Sequence, residues 1–93
     1  MRSDEIAGLL ARLDGWQAVG DHHLMKTYRW KNFAEALAFV DRVGALAEEQ
    51  RHHPDVFLAW GVVKIEIWTH KIDGLTESDF VFAAKCDRLA ESK

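Results

Sequence analysis

Five histidines are the residues of this 93-residue chain best suited to chemistry. They occur as two adjacent pairs, His22-His23 and His52-His53, and as the single His70. Imidazole titrates near neutral pH, so neighbouring rings can hold one proton donor and one proton acceptor at the same time. A cluster of these side chains would therefore suit proton transfer to and from a substrate.

Hairpin geometry predicts which of the histidines meet. Residues 63–70 alternate apolar and polar side chains, which is typical of a strand whose odd positions face a core. If Gly61-Val62 form a two-residue turn, the register of the hairpin places His53 opposite His70. His52, His53 and His70 would then converge at the open end of the hairpin, with His70 on the sheet face away from the core.

Two carboxylates could orient these rings. Glu48 lies one helical turn before His52, and Asp79 begins the helix that follows His70 after a short loop. Each could instead be a solvated helix charge or a partner of the helix dipole, and the spacing leaves both readings open.

A zinc site is a rival use of three histidines. Side chains of adjacent residues such as His52-His53 tend to point apart, whereas metal-binding pairs commonly sit at i, i+2 in a strand or i, i+4 in a helix. We therefore expect no metal at these histidines.

Composition indicates one folded domain spanning residues 1–93. Apolar residues make up 48% of the chain and charged residues 29%, and no linker divides it. The formal charge of -3, with basic residues scattered, provides no surface for a phosphate backbone. No apolar run is long enough to span a bilayer, and the single Cys86 fits a reducing compartment. We expect a cytoplasmic protein without a direct nucleic-acid or membrane partner.

The order of apolar patterns predicts an αββαββα subunit. Asn32 is a suitable N-cap for the central helix, Pro54 disfavours helix at the preceding residue, and Gly20-Asp21 suit a tight turn beside an exposed His22-His23. The expected helices cover 4–13, 33–51 and the segment after Thr76, and the expected strands cover 16–19, 23–30, 56–60 and 63–70. These elements predict the α+β class, with a four-stranded antiparallel sheet and helices packed on one face.

A composite motif identifies a resemblance to a known family. Residues 48–55 read EEQRHHPD, and they are followed by Thr69-His70, then by Gly74-Leu75-Thr76, then by Asp79. This combination resembles the signature of the pterin-4a-carbinolamine dehydratases. The similarity extends from Trp16 to Leu89 and so covers nearly the whole chain.

The resemblance implies an αββαββα subunit, assembled into homodimers or homotetramers. Its activity would be the dehydration of the 4a-carbinolamine left by aromatic amino acid hydroxylases to a quinonoid dihydropterin. By match to the motif, the catalytic residues would be His52, His53 and His70. The residues bordering the pterin substrate would be His52, His53, Pro54, Trp68, Thr69, His70 and Lys71. The resemblance implies no metal and no bound cofactor.

A non-catalytic interaction module is the alternative function. The family also includes dimerisation cofactors of a homeodomain transcription factor, and a helper that binds a hydroxylase is a further possibility. Interaction alone has no physical need for three converging imidazoles, which favours catalysis. Val56 and Trp60-Gly61 depart from the residues common in the family, and these departures bear on assembly and partners more than on dehydration.

Overall fold

The chain folds in the predicted order of helices and strands, in a computed structural model that describes residues 1–91. The helices are α1 (Ser3–Leu10), α2 (Phe33–Gln50) and α3 (Glu77–Glu91), and a short 3₁₀ helix covers His70–Ile72. The strands are β1 (Gln17–Val19), β2 (His23–Arg29), β3 (Asp55–Ala59) and β4 (Val62–Ile67). The predicted α+β class is confirmed.

The four strands form one antiparallel sheet in the order β1-β2-β4-β3. The odd positions of β4 are Val63, Ile65 and Ile67, and all three are completely buried, as the alternating pattern predicts. They belong to the same apolar cluster as Ile6 of α1 and Phe39 of α2, together with side chains of α3. The helices therefore cover one face of the sheet, and the other face is left to the polar positions of the strands.

The turn between β3 and β4 differs from the prediction. Ala59 pairs with Val62, so the two turn residues are Trp60 and Gly61 rather than Gly61 and Val62. Gly61 is held against the backbone of Trp30, whose N–H donates to the Gly61 carbonyl at 2.7 Å. A Cβ on Gly61 would lie 2.8 Å from the Trp30 carbonyl oxygen, so this close approach requires glycine.

The predicted pairing of His53 with His70 is consequently wrong. The β3–β4 ladder ends at Asp55 and Glu66, and β4 itself ends at Ile67, so both histidines lie beyond paired strand. The 3₁₀ helix that carries His70 is closed by a bridge between Thr69 and Gly74, with the Thr69 N–H 2.9 Å from the Gly74 carbonyl. Strand alternation therefore does not set the direction of the His70 ring.

Helix α2 begins and ends in ways that fix its direction. Asn32 is the N-cap, and its side-chain oxygen accepts a hydrogen bond from the Glu35 N–H at 2.9 Å, as predicted. The helix ends at Gln50 because Arg51 adopts a left-handed conformation with φ 52°. The His52 N–H then donates to the Ala47 carbonyl at 3.1 Å. This sharp exit carries His52 away from the helix axis toward α3.

A partly buried polar cluster ties α3 to the sheet at the end away from the 3₁₀ helix. The carboxylate of Asp87 accepts from Trp16 Nε1 at 3.2 Å, from Lys26 Nζ at 2.8 Å and from the Tyr28 hydroxyl at 2.5 Å.

Burial, reinforced by Asp87, raises the pKa of Tyr28 well above its usual range. Burial also raises the pKa of Cys86 to about 12, so this thiol is not a nucleophile at neutral pH.

Alkaline solution should destabilise the fold through these two groups. The unfolded chain loses the protons of Cys86 and Tyr28 near their usual pKa values of 9.0 and 10.0, while the folded chain keeps them. The unfolded state then binds fewer protons, so stability falls as pH rises above about 9, by up to about 1.4 kcal/mol per pH unit for each group. In urea unfolding between pH 8 and 11, Tyr28→Phe should lose less stability than the wild type. An equal loss in both proteins would contradict the assignment of Tyr28.

Candidate active site

A cleft of about 260 Å³ opens where the end of α2 meets the 3₁₀ helix. The cleft is lined by Arg51, His52, His53, Trp68, Thr69, His70 and Lys71. All the residues predicted to border the substrate line this cleft, with the exception of Pro54. A second cleft, of about 390 Å³, shares Arg51, His52 and Thr69 with the first, so the His52 ring stands between two openings.

His52 is anchored by a completely buried carboxylate. Its Nε2 atom lies 2.5 Å from Oδ1 of Asp79, which is 0% exposed, whereas the His52 side chain is 18% exposed. A carboxylate oxygen accepts hydrogen bonds, so Nε2 carries the proton, and Nδ1 has no hydrogen-bond partner within residues 1–91. The Phe82 ring stands perpendicular to the imidazole at 5.8 Å and limits its rotation. The contacts with Asp79 and Phe82 therefore determine both the position and the tautomer of the His52 ring.

Two threonines complete the partners of Asp79. Its Oδ2 atom accepts from the Thr76 backbone N–H at 2.8 Å and from the Thr69 hydroxyl at 2.9 Å. The Thr69 hydroxyl donates its only proton to Asp79. It must therefore accept the hydrogen bond from the Thr76 hydroxyl, whose oxygen is 2.9 Å away. Asp79 is therefore both the N-terminal capping partner of α3 and the partner of His52. Three donors satisfy a carboxylate that burial alone would disfavour.

His53 is held more loosely. Its Nε2 atom lies 2.5 Å from Oε2 of Glu48, but the two side chains are 61% and 79% exposed. Exposed pairs of this kind contribute about 0–1 kcal/mol, because solvent screens them and both side chains lose rotamer freedom. The His53 ring is consequently free to reorient toward a ligand in the cleft.

The His70 ring is positioned by stacking. Its centroid lies 4.4 Å from the Trp68 ring at an angle of 48°, and within residues 1–91 no hydrogen bond holds either ring nitrogen. Both nitrogens are therefore available to a ligand. A protonated imidazole beside an indole face is stabilised by the negative charge of the ring quadrupole.

Sequence reasoning missed the second pair of histidines. His22 and His23 pack against Trp68 with ring centroids at 5.3 Å and 5.8 Å, and the His23 side chain is only 19% exposed. The expectation that this pair is exposed is wrong for His23. Strands β2 and β4 are neighbours, with Leu24 opposite Ile67, and this pairing brings His23 beside Trp68.

The model of the family described as pterin 4 alpha carbinolamine dehydratase matches residues 1–89. This chain belongs to that family. A relative from Rubrobacter xylanophilus, provisionally named a pterin-4-alpha-carbinolamine dehydratase, is 58% identical over 96% of this chain and 83% of its own length. A relative from Alkaliphilus metalliredigens with the same provisional name is 53% identical over 95% of this chain and 80% of its own length.

Solved structures of similar chains carry more than one description. A transcriptional coactivator/pterin dehydratase from Brucella melitensis matches with a TM-score of 0.91 and 32% identity over 97% of both chains. A pterin dehydratase-like protein, described as a RuBisCO assembly factor in the alpha-carboxysome, matches with a TM-score of 0.64 and 30% identity over 73% of this chain and 79% of its own. The fold of the dehydratase family is thus shared by proteins described as enzymes and as assembly factors.

In this member of the dehydratase family, Glu48 and Asp79 contact different histidines from those that lie nearest to them by sequence spacing. Glu48 contacts His53 rather than His52, and Asp79 contacts His52 rather than His70. The reason is the left-handed Arg51, which turns His52 inward and leaves His53 above the last turn of α2. Both carboxylates do contact a predicted catalytic histidine.

Two further features of the described chain bear on ligands. Within residues 1–91, no group of three or more histidine, cysteine or acidic side chains is arranged to hold a metal ion. The same residues include no helix with the length and apolar character needed to cross a bilayer.

Proposed function

We propose that this chain removes water from 4a-hydroxytetrahydropterins to give quinonoid dihydropterins, in the recycling of pterins for aromatic amino acid hydroxylation. The observation that carries the proposal is the His52–Asp79 pair, 2.5 Å apart, facing a cleft that His53 and His70 also line. Membership of the dehydratase family supports the substrate class. No redox step and no added reactant are required, because the products are the substrate less one water molecule.

The reaction needs one proton donor and one proton acceptor. The C4a–O bond breaks, and the departing hydroxide takes a proton from an imidazolium and leaves as water. The electron pair of the N5–H bond forms the new N5=C4a double bond as a neutral imidazole accepts the N5 proton. Positioned proton transfer of this kind typically contributes about 10²- to 10⁴-fold to a rate.

The contacts favour His52 as the acceptor and His70 as the donor. Asp79 stabilises the imidazolium that forms when His52 Nδ1 takes a proton. The Trp68 face stabilises a protonated His70 before it gives its proton away. His53, which is mostly exposed, would bind the substrate. Pro54, Trp68, Thr69 and Lys71 would border the pterin.

Replacement of His70 tests the donor role. His70→Ala should lower kcat/KM for dehydration by about 10²-fold, since the leaving hydroxide would lose its proton donor. The fold should persist, because the side chain is exposed. Ile72→Ala, a change of an exposed residue in the same 3₁₀ helix, is the matched control and should keep the wild-type rate. Full activity in a folded His70→Ala protein would remove His70 from the mechanism.

An interaction function is the second candidate, and the free edge of the sheet favours it. Among residues 1–91, strand β3 lies at one edge of the sheet, and Phe57 of this strand and Trp60 in the turn after it are 56% and 69% exposed. Unpaired strand edges with apolar side chains tend to associate. This edge supports a homodimer or homotetramer, and a hydroxylase is a further candidate partner. Sedimentation of the wild type and of Phe57→Ser would test whether this edge mediates association. A folded oligomer without dehydratase activity would favour an interaction module, which we also expect to be cytoplasmic.

A further inference from the structure

His22 and His23 form a row of polar contacts between two carboxylates. The Nε2 atom of His22 lies 2.7 Å from Oδ1 of Asp73, and the Nδ1 atoms of the two histidines are 3.1 Å apart. At the other end, Nε2 of His23 lies 3.0 Å from Oε2 of Glu66. All four ring nitrogens of the two histidines thus face a polar partner.

The row is attached to the segment that carries His70 in two ways. Both rings pack on Trp68, which in turn stacks on His70 with the centroids 4.4 Å apart. Asp73 follows the 3₁₀ helix directly, and its backbone N–H donates to the His70 carbonyl at 3.1 Å. The first link places both rings against the indole, and the second joins His22 to the residue that ends the 3₁₀ helix, although the Asp73 side chain is 85% exposed.

We propose that His22 and His23 are positioning residues for the dehydration, an inference that rests on the proposed function. Through Trp68 and Asp73 they hold the His70 ring at the mouth of the cleft, although neither histidine lines that cleft. The His70 ring nitrogens have no hydrogen bond to a protein group within residues 1–91, so the Trp68 ring and the backbone of the 3₁₀ helix orient this side chain.

The test uses the full chain with ¹⁵N-labelled histidine, examined by NMR and by dehydration kinetics. In the wild type at neutral pH, the carbon-bound ring protons of His70 should be shifted upfield by Trp68. His22→Phe keeps an aromatic ring on Trp68 but removes the Asp73 and His23 contacts. It should reduce the His70 upfield shift and lower kcat about tenfold, with KM changed less than about threefold.

A matched control separates positioning from general damage. Lys64→Gln alters a polar side chain on the same sheet face, where Lys64 lies 5.7 Å over the Phe57 ring and outside the histidine stack. It should leave the His70 resonances and the rate unchanged. A folded His22→Phe protein with wild-type His70 shifts and wild-type kcat would overturn the proposal. If the wild type did not dehydrate pterins at all, the proposed function would fail, while the His70 shifts would still decide whether the pair positions the ring.

Discussion

Asp79→Asn is expected to lower kcat/KM for dehydration by about 10²- to 10³-fold with little change in stability. The amide oxygen can still accept from Thr69 and Thr76, so the start of α3 remains capped. The amide NH₂ group, however, meets the His52 Nε2–H, and two donors cannot share a hydrogen bond. The imidazole must move its proton to Nδ1, and this atom, the acceptor in the proposed mechanism, then cannot take the N5 proton.

The control for this prediction is the loss of a first-turn charge elsewhere. Glu35→Gln removes the acidic side chain from the first turn of α2, away from the cleft, and should leave dehydration unchanged. Both variants are compared by thermal melting and by initial rates. A well-folded Asp79→Asn protein with the wild-type rate would mean that Asp79 only caps α3.

His52→Ala is expected to lower kcat/KM by about 10²- to 10⁴-fold, because it removes the proton acceptor itself. The double variant His52→Ala/Asp79→Asn should be no slower than His52→Ala. Asp79 acts through the His52 ring in this account, and residues that act as one unit give losses that do not add. Steady-state kinetics on the four proteins of this cycle measure the coupling.

One outcome of this double-mutant cycle would contradict the coupling of His52 and Asp79. If the two losses multiplied in the double variant, Asp79 would act on the substrate independently of His52. Since Asp79 is completely buried and its oxygens contact His52, Thr69 and Thr76, such independence would require the site to rearrange on binding substrate.

Local patterns in the sequence were sufficient to predict most of the fold. The alternation along β4 predicts the burial of Val63, Ile65 and Ile67, because side chains on a strand point to opposite faces in turn. Asn32 caps α2 through an interaction that spans three residues. Gly20 and Asp21 both adopt positive φ in the first turn. Each of these features depends on neighbours in the sequence.

The register of the second hairpin could not be read in the same way. Val62 is β-branched and so favours strand over a tight turn, but Gly61 is compatible with either turn position. The choice is made by the Trp30 backbone, 31 residues earlier than Gly61, which approaches Gly61 too closely for any side chain. A contact of this kind is visible only after the sheet is assembled.

The sequence predicted which residues form the candidate site more fully than it predicted the contacts among them. Hairpin geometry predicted that His52, His53 and His70 converge, and all three line one cleft, while the catalytic roles that the motif implies stay predictions. The partners of Glu48 and Asp79 depend on the direction in which the chain leaves α2, which the left-handed Arg51 determines. The signal that could have identified His22-His23 is the pairing of β2 with β4, two strands that are not consecutive in the chain.

The most direct test of the account is the ultraviolet-monitored loss of a 4a-hydroxytetrahydropterin at neutral pH, with and without the purified protein. The protein is treated with a chelator beforehand, and His52→Ala serves as the inactive comparison. The account predicts acceleration by the wild type that survives chelation and is lost in His52→Ala. No acceleration by a well-folded wild type would contradict the dehydratase function, and acceleration that disappears only on chelation would contradict catalysis by histidines alone.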